Sequence, residues 1–240
     1  MSGLAYAAQG LRHGLRRPQL GQTERTGVAR ALWIAGLCLL ALAVIWVVAE
    51  LVPQAQVRDS LALRDFVLLS GPRVSTVANF LLSLLGPPLL TLWGIALVLC
   101  ALARARPRVA LAVALVLGLA PLSADALKPL LAHPHSHAGA VYIDPASWPS
   151  GHATAALALA LCAVLVAPPR VRPAVAGLGA VFSAAVGCSL LIRAWHMPSD
   201  VLGGYAMAAL WMALAVAALR ATDARLAPRA GAARTRSTAY

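Results

Sequence analysis

Long uncharged hydrophobic runs alternate with short polar segments along most of the chain. A helix needs about 20 mostly apolar residues to cross the roughly 30 Å hydrocarbon layer of a membrane. Six runs approach that length, and they cover residues 31–52, 80–102, 109–131, 151–167, 174–192 and 201–219. The pattern therefore predicts an all-α, polytopic membrane protein built as a six-transmembrane-helix bundle. Between the first two runs, a short amphipathic piece at 61–69 is expected to rest on the membrane surface.

The composition agrees with a membrane location. Hydrophobic residues make up 60% of the 240 residues and charged residues 12%, whereas soluble domains carry roughly 45–50% apolar and about 25% charged residues. This balance excludes a water-exposed globular protein. We expect one membrane domain at 31–220, flanked by flexible basic tails at 1–30 and 221–240 that are rich in Arg, Ala and Gly.

Basic residues are divided unevenly between the two sides of the predicted bundle. With the N-terminus inside, the inner segments hold fifteen Arg, whereas the outer segments hold four Arg, and Lys128 lies at the outer end of the third span. Cytoplasmic loops of membrane proteins keep an excess of positive charge. Both termini are therefore predicted to be cytoplasmic in a plasma-membrane protein, with outer segments at 53–79, 132–150 and 193–200. We expect the net charge of +12 to contact anionic membrane lipids and not nucleic acid, because no aromatic residues are interleaved with it.

Ionisable residues collect at the outer ends of the predicted spans, where five of the six histidines lie. Such groups are costly next to a membrane and indicate function. They form three clusters, at 128–137 after the third span, at 149–152 before the fourth, and at 193–200 between the fifth and sixth. Because the topology rests on hydropathy and charge alone, the meeting of all three clusters at one membrane face predicts a single site there.

Two of the clusters carry residues in a recognisable spacing. The second reads Pro149-Ser150-Gly151-His152, and the third, together with Ser189 of the fifth run, forms Ser-x6-His-x3-Asp with His196 and Asp200. In both respects the chain resembles the type 2 phosphatidic acid phosphatases, membrane enzymes that remove phosphate from lipids. Their signature is a Lys-x6-Arg-Pro element, a Pro-Ser-Gly-His element and a Ser-Arg-x5-His-x3-Asp element at the ends of a six-helix bundle.

The chain departs from this signature at two arginine positions. In the first element Lys128 is present, but His135 and Ser136 occupy the places of the family's Arg and Pro. In the third element Leu190 occupies the place of the Arg. Arg193, about one helical turn further along, is long enough to supply the missing charge.

The resemblance implies a reaction and a role for each residue. His196 is the expected nucleophile that forms a phospho-histidine, Asp200 orients its imidazole, and His152 protonates the leaving oxygen. The substrate is expected to be a lipid phosphate, phosphatidate-like or a polyprenyl diphosphate, hydrolysed at the periplasmic or extracellular face without a cofactor or metal. The residues expected to bind its phosphate are Lys128, His135, Ser150, Gly151 and Arg193.

Several of these residues also fit purely structural roles. Ser150 precedes a helix and has the side chain of an N-cap, and Asp200 has the same possibility at the sixth helix. Trp148 and Trp195 are expected to be anchors at the membrane interface.

Other functions are compatible with the same residues. A phosphotransferase of the same superfamily would pass the phosphoryl group from His196 to another alcohol, and a relative without catalysis would bind lipid phosphate only, as the two missing arginines allow. In a third alternative, the alternating His133, His135 and His137 form a zinc or copper site.

Overall fold

The computed structural model describes the backbone of residues 3–133 and 142–237, and the side chains of 25–133 and 142–225. All regular secondary structure within these ranges is helical, which confirms the predicted all-α class. The helices are α1 (Gly3–Leu51), α2 (Pro53–Leu68), α3 (Pro72–Ser83), α4 (Pro87–Ala103), α5 (Pro107–Leu131), α6 (Gly151–Val166), α7 (Arg172–Ile192) and α8 (Pro198–Ser237).

Five of the six predicted spans coincide with part or all of a single helix, and the second does not. The prediction of one continuous span at 80–102 is wrong, because α3 ends at Ser83 and α4 begins only at Pro87. Gly86 has φ −57° and ψ 150°, the extended geometry that a following proline favours. Neither Pro87 nor Pro88 has an N–H group for a helical hydrogen bond, and both lie in the first turn of α4, where no such bond is required.

The helices differ in their capacity to cross a membrane. Four helical segments are long and apolar enough by length and composition: Arg25–Leu51, Pro107–Leu131, Arg172–Ile192 and Pro198–Arg225. The apolar helices α4 and α6 are shorter, with 17 and 16 residues. The chain is therefore a multi-pass membrane protein.

The polar stretch between the first two hydrophobic runs folds into α2 and α3, which are bent by 113° relative to each other. Leu63 on α2 and Leu82 on α3 are buried in the same apolar cluster, which also contains Val186 and Leu190 of α7. The apolar side of α2 therefore packs on other helices. Contact of the segment 61–69 with a membrane surface stays a prediction.

Helix α6 lies between neighbours on several sides, since it packs against α5, α7 and α4. It is apolar around its whole circumference, as expected for a central helix, and its buried residues are mostly alanines. A Cβ atom added to Gly179 of α7 would lie 2.8 Å from the Cβ atom of Ala160 on α6. Small residues thus allow these two helices to approach closely, which fixes where the first turn of α6 lies.

Contacts along the chain define two compact units, one formed by 35–212 and the other by 1–34 together with 213–240. The first contains every described residue of the predicted site. In the second, Nη1 of Arg220 donates a hydrogen bond to the carbonyl oxygen of Gly27 at 3.0 Å. Helices α1 and α8 continue into the segments expected to be basic tails, and the flexibility of those tails stays a prediction.

Candidate active site

The predicted nucleophile lies in the tight connection between α7 and α8. Two backbone hydrogen bonds end helix α7. The Ala194 N–H donates to the Leu191 carbonyl at 2.9 Å, and the Trp195 N–H donates to the Leu190 carbonyl at 3.0 Å. These are the bonds of a Schellman motif. Ala194 has φ 51°, a left-handed conformation that costs a residue with a Cβ atom about 1 kcal/mol. The turn places His196 two residues before Pro198, the start of α8.

His196 and Asp200 form a buried pair. Nδ1 of His196 lies 3.2 Å from Oδ2 of Asp200, and the two residues are 8% and 0% exposed. The same Oδ2 accepts the Met197 N–H at 2.9 Å, so Asp200 also caps the N-terminus of α8 from its first turn. A carboxylate on Nδ1 favours the tautomer in which Nε2 carries the free lone pair. The Asp200 side chain can therefore cap α8 and orient the His196 imidazole at the same time.

The second cluster, at 149–152, contacts the third cluster, at 193–200, directly. The Ser150 N–H donates to the Asp200 carbonyl at 2.9 Å. Gly204, one turn further along α8, lies so close that an added Cβ atom would be 2.5 Å from the Ser150 carbonyl oxygen and 2.9 Å from the Cβ atom of Ala153. Helix α8 therefore rests on the N-terminus of α6 without intervening side chains.

We expect Gly204→Ala to lower the free energy of unfolding by about 2 kcal/mol, because the backbone of Ser150 must shift to admit the methyl group. Thermal unfolding in detergent measures this loss. Gly118→Ala is the matched control, since a Cβ atom there meets nothing within 4 Å and alanine stabilises a helix interior. Equal unfolding temperatures for the two variants would contradict the close approach of α8 to α6.

The N-terminus of α6 offers free backbone amides. The hydroxyl oxygen of Ser150 accepts the Ala153 N–H at 3.3 Å, so the expected N-cap is confirmed. The Ser150 carbonyl accepts the Thr154 N–H at 3.0 Å. The amides of Gly151 and His152 have no acceptor among the described residues. Unpaired amides and the positive end of the helix dipole favour an anion at this position.

Lys128 of α5 lies beside this helix end. A Cβ atom added to Gly151 would lie 3.2 Å from Oδ1 of Asp125 and 3.8 Å from Nζ of Lys128. Nζ donates to that Oδ1 at 2.7 Å, and the Lys128 side chain is 27% exposed. The first and second clusters thus meet. The carboxylate of Asp125 offsets part of the positive charge of Lys128.

His152 contacts the third cluster. Its ring makes an edge contact with Trp195, with centroids 5.8 Å apart and planes at 62°. Trp195 directly precedes the expected nucleophile, and Gly151, next to His152, lies beside the cation of α5. The three clusters therefore meet at the start of α6.

Arg193 is the C-cap residue of α7, directly before the Schellman turn at Ala194. Its Nε atom is buried and has no hydrogen-bond partner within the described part of the chain. Leu190, at the position of the family's arginine, is fully buried in the apolar cluster of α2, α3 and α7. An arginine at 190 would desolvate its charge in that cluster unless the packing changed.

The remaining predictions concern the histidines after α5 and two tryptophans. His135 and His137 lie outside the described residues, and no group of three metal-ligating side chains occurs in the rest of the chain that is described. Trp148 is not an interface anchor, because it is 3% exposed and packs beside Leu42 and Met207. Trp195 is 46% exposed.

Two acidic side chains near the site were not predicted. Glu50, at the end of α1, is 2% exposed, and its Oε2 lies 3.8 Å from Nδ1 of His133. Asp59 of α2 binds Ser199 at the start of α8. A carboxylate at the end of an otherwise apolar run was a usable signal for Glu50, whereas nothing local indicates the partner of Asp59.

Comparison with known proteins agrees with this arrangement. No curated protein sequence matches the chain. Among solved structures, a transmembrane PAP2-type phosphatidylglycerolphosphate phosphatase from Bacillus subtilis has the same fold, with a TM-score of 0.63 and 22% identity over 76% of this chain and 94% of that one. A model of the PAP2 superfamily matches residues 100–223, slightly more than half of the chain. The matched region contains all three clusters, and the chain belongs to the PAP2 superfamily.

Proposed function

We propose that the protein is a membrane lipid phosphatase that hydrolyses a lipid phosphate, phosphatidate-like or a polyprenyl diphosphate. The observation that carries this proposal is the buried pair of His196 and Asp200, with Nδ1 and Oδ2 3.2 Å apart, joined by a backbone hydrogen bond to the anion-favouring N-terminus of α6. A histidine nucleophile, an orienting carboxylate and a phosphate cradle are the parts that phosphoryl transfer requires.

In the first chemical step, Nε2 of His196 attacks the phosphorus atom in line with the leaving oxygen. The bond from phosphorus to the lipid oxygen breaks, and that oxygen takes a proton from His152. The resulting phospho-histidine carries the phosphoryl group on Nε2, and Asp200 stabilises the positive imidazole through Nδ1–H.

In the second step, water attacks the phospho-histidine and releases inorganic phosphate. His152, which lost its proton in the first step, takes one from that water and returns to its starting state. A lipid phosphate and water give the lipid alcohol and phosphate, and a lipid diphosphate and water give the lipid monophosphate and phosphate. A phosphotransferase differs only here, since another alcohol replaces water.

The phosphate oxygens gain charge during both steps and need fixed donors. The free amides at the start of α6 and the ammonium of Lys128 are suited to this role by their proximity. We assign Ser150 and Gly151 to the cradle and Arg193 to the charge that the family carries at position 190. His135 is assigned to the same phosphate as a further donor.

We infer that the protein crosses the membrane six times, with both termini cytoplasmic and the site at the periplasmic or extracellular face. Helices α4 and α6 have 17 and 16 residues and span about 24–26 Å at 1.5 Å per residue, close to the hydrocarbon thickness. The excess of Arg at the opposite ends of the helices supports this orientation.

The decisive test is phosphate release by detergent-purified protein from phosphatidate, phosphatidylglycerophosphate and a polyprenyl diphosphate. Release from any of them supports the phosphatase and names its substrate class. Product analysis with added acceptor lipid separates hydrolysis from transfer, because a transferase yields a new phospholipid in place of inorganic phosphate. Binding of these lipids by folded protein without either product would contradict catalysis and favour a lipid-phosphate binder.

Arg193→Ala is expected to lower kcat/KM by roughly tenfold to a hundredfold, since a hydrogen bond to a charged group contributes about 1.5–3 kcal/mol. Arg193→Lys should recover part of the loss, because it keeps the charge and loses the planar fork. Arg64→Ala removes an exposed arginine of α2 and serves as the control. Activity of Arg193→Ala equal to that of the control would show that another cation replaces the arginine of the family.

A further inference from the structure

A contact from α2 holds the first turn of α8, on which the orienting carboxylate lies. Oδ2 of Asp59 accepts the hydroxyl of Ser199 at 2.6 Å, and Oδ1 accepts the Ser199 N–H at 3.2 Å. Ser199 immediately precedes Asp200 and is 8% exposed. One carboxylate therefore binds both the side chain and the backbone of the residue next to the orienting group.

The first N–H groups of α8 have few other hydrogen-bond partners in the described part of the chain. Pro198 has no N–H, and the Met197 N–H is taken by Asp200 itself. The Ser199 N–H is the next orphan donor of the helix, and Asp59 satisfies it from another element. On the opposite side, the Asp200 carbonyl accepts the Ser150 N–H at 2.9 Å. The backbone of Asp200 is thus held between α2 and α6.

Asp59 itself is fixed by its neighbours on α2. One turn earlier, Nε2 of Gln56 donates to the Glu50 carbonyl at 2.6 Å, and one turn later Leu63 is 1% exposed in the apolar cluster. Residues 56, 59 and 63 share one face of the helix. Because this face is anchored on both sides of Asp59, the carboxylate has a defined position relative to α8.

We propose that Asp59 is a positioning residue for the nucleophile, which acts through Ser199 and Asp200 on the imidazole of His196. The proposal rests on the proposed phosphatase function. Asp59 precedes the residues that match the PAP2 superfamily, 100–223, and is separated from Ser199 by 140 positions. Helix α2, between the first two hydrophobic runs, therefore takes part in the arrangement of the catalytic groups.

The test compares Asp59→Ala with Asp65→Ala, a control that removes an exposed carboxylate from the same helix. We expect Asp59→Ala to lower kcat by about tenfold to a hundredfold, because misplacing a reacting group by about 1 Å has effects of this size. KM should stay within about twofold, since the phosphate-binding groups are left in place. Asp59→Asn keeps one acceptor oxygen and is expected to have an intermediate kcat.

A second arm uses Ser199→Ala, which removes only the hydroxyl bond. If Asp59 acts through Ser199, the double variant should lose less than the product of the two single losses. Fully multiplicative losses, or a kcat of Asp59→Ala equal to that of Asp65→Ala, would overturn the proposal. Thermal unfolding of each variant identifies losses caused by global destabilisation, and kcat is compared below the lowest unfolding temperature.

A readout independent of lipid turnover separates this proposal from the proposed function. Diethyl pyrocarbonate modifies accessible neutral imidazoles, and mass spectrometry gives the rates at His196 and His152 in one sample. We expect Asp59→Ala to change the ratio of these rates at least threefold, and Asp65→Ala to leave it unchanged. An unchanged ratio in Asp59→Ala overturns the positioning role even if the wild type releases no phosphate. If the wild type releases no phosphate but the ratio changes in Asp59→Ala, the positioning role is supported and the phosphatase assignment fails.

Discussion

His196→Ala is expected to abolish phosphate release and to lower kcat by at least about 10⁴-fold, as removal of an enzymatic nucleophile generally does. The reason is that the variant has no nitrogen at the end of the turn formed by Ala194 and Trp195. Water would then have to attack the lipid phosphate directly. Phosphate release from the best substrate of the lipid panel measures the loss.

The covalent intermediate gives a second, qualitative measurement. Brief incubation with labelled lipid phosphate followed by denaturation should leave label on the wild type in an acid-labile, base-stable form, as expected for a phosphoryl group on nitrogen. His196→Ala should carry none. His133→Ala is the control, since it removes an imidazole that lies 3.8 Å from Glu50 and has no assigned step. Retention of more than a tenth of the wild-type kcat by His196→Ala would place the nucleophile elsewhere.

An element can be predicted from the sequence when its own residues determine it. Apolar runs of membrane length predict helices well, because the requirement is a property of the run itself. The break before α4 was also readable, since the sequence Gly86-Pro87-Pro88 favours the end of one helix and the first turn of another. It was missed because hydropathy counts these residues as uncharged, without regard to their backbone limits.

The site is predictable to a similar degree. Lys128, His152 and His196 were expected to meet because successive spans return to the same membrane face. In the structure Gly151 lies beside Lys128, and the ring of His152 contacts Trp195, the residue before His196. The contact of Asp59 with Ser199 was not predictable, because it depends on how α2 packs against the end of α7 and the start of α8. The burial of Trp148 has the same cause, since it depends on the closeness of Gly203, whose added Cβ atom would lie 2.7 Å from the indole nitrogen.

We expect His152→Gln to lower kcat/KM for a lipid phosphate monoester by about 10²–10⁴-fold, the usual range for loss of a general acid. An alkoxide is a poor leaving group without a proton, and the proposed donor His152 lies at the start of α6, with its ring in contact with Trp195 beside His196. Glutamine is close in size and keeps a polar group beside Trp195, so the fold should be retained. The measurement is the initial rate of phosphate release from phosphatidate.

The dependence of this loss on the leaving group separates an acid from a residue that only shapes the pocket. With p-nitrophenyl phosphate the departing group needs no proton, so kcat/KM of His152→Gln should approach that of the wild type. Hydrolysis of the phospho-histidine still lacks its base, and the second step then limits turnover. A burst of nitrophenol equal in amount to the enzyme should therefore precede a slow steady state. The same loss on both substrates, without a burst, would contradict proton transfer by His152 and leave it a role in packing against Trp195.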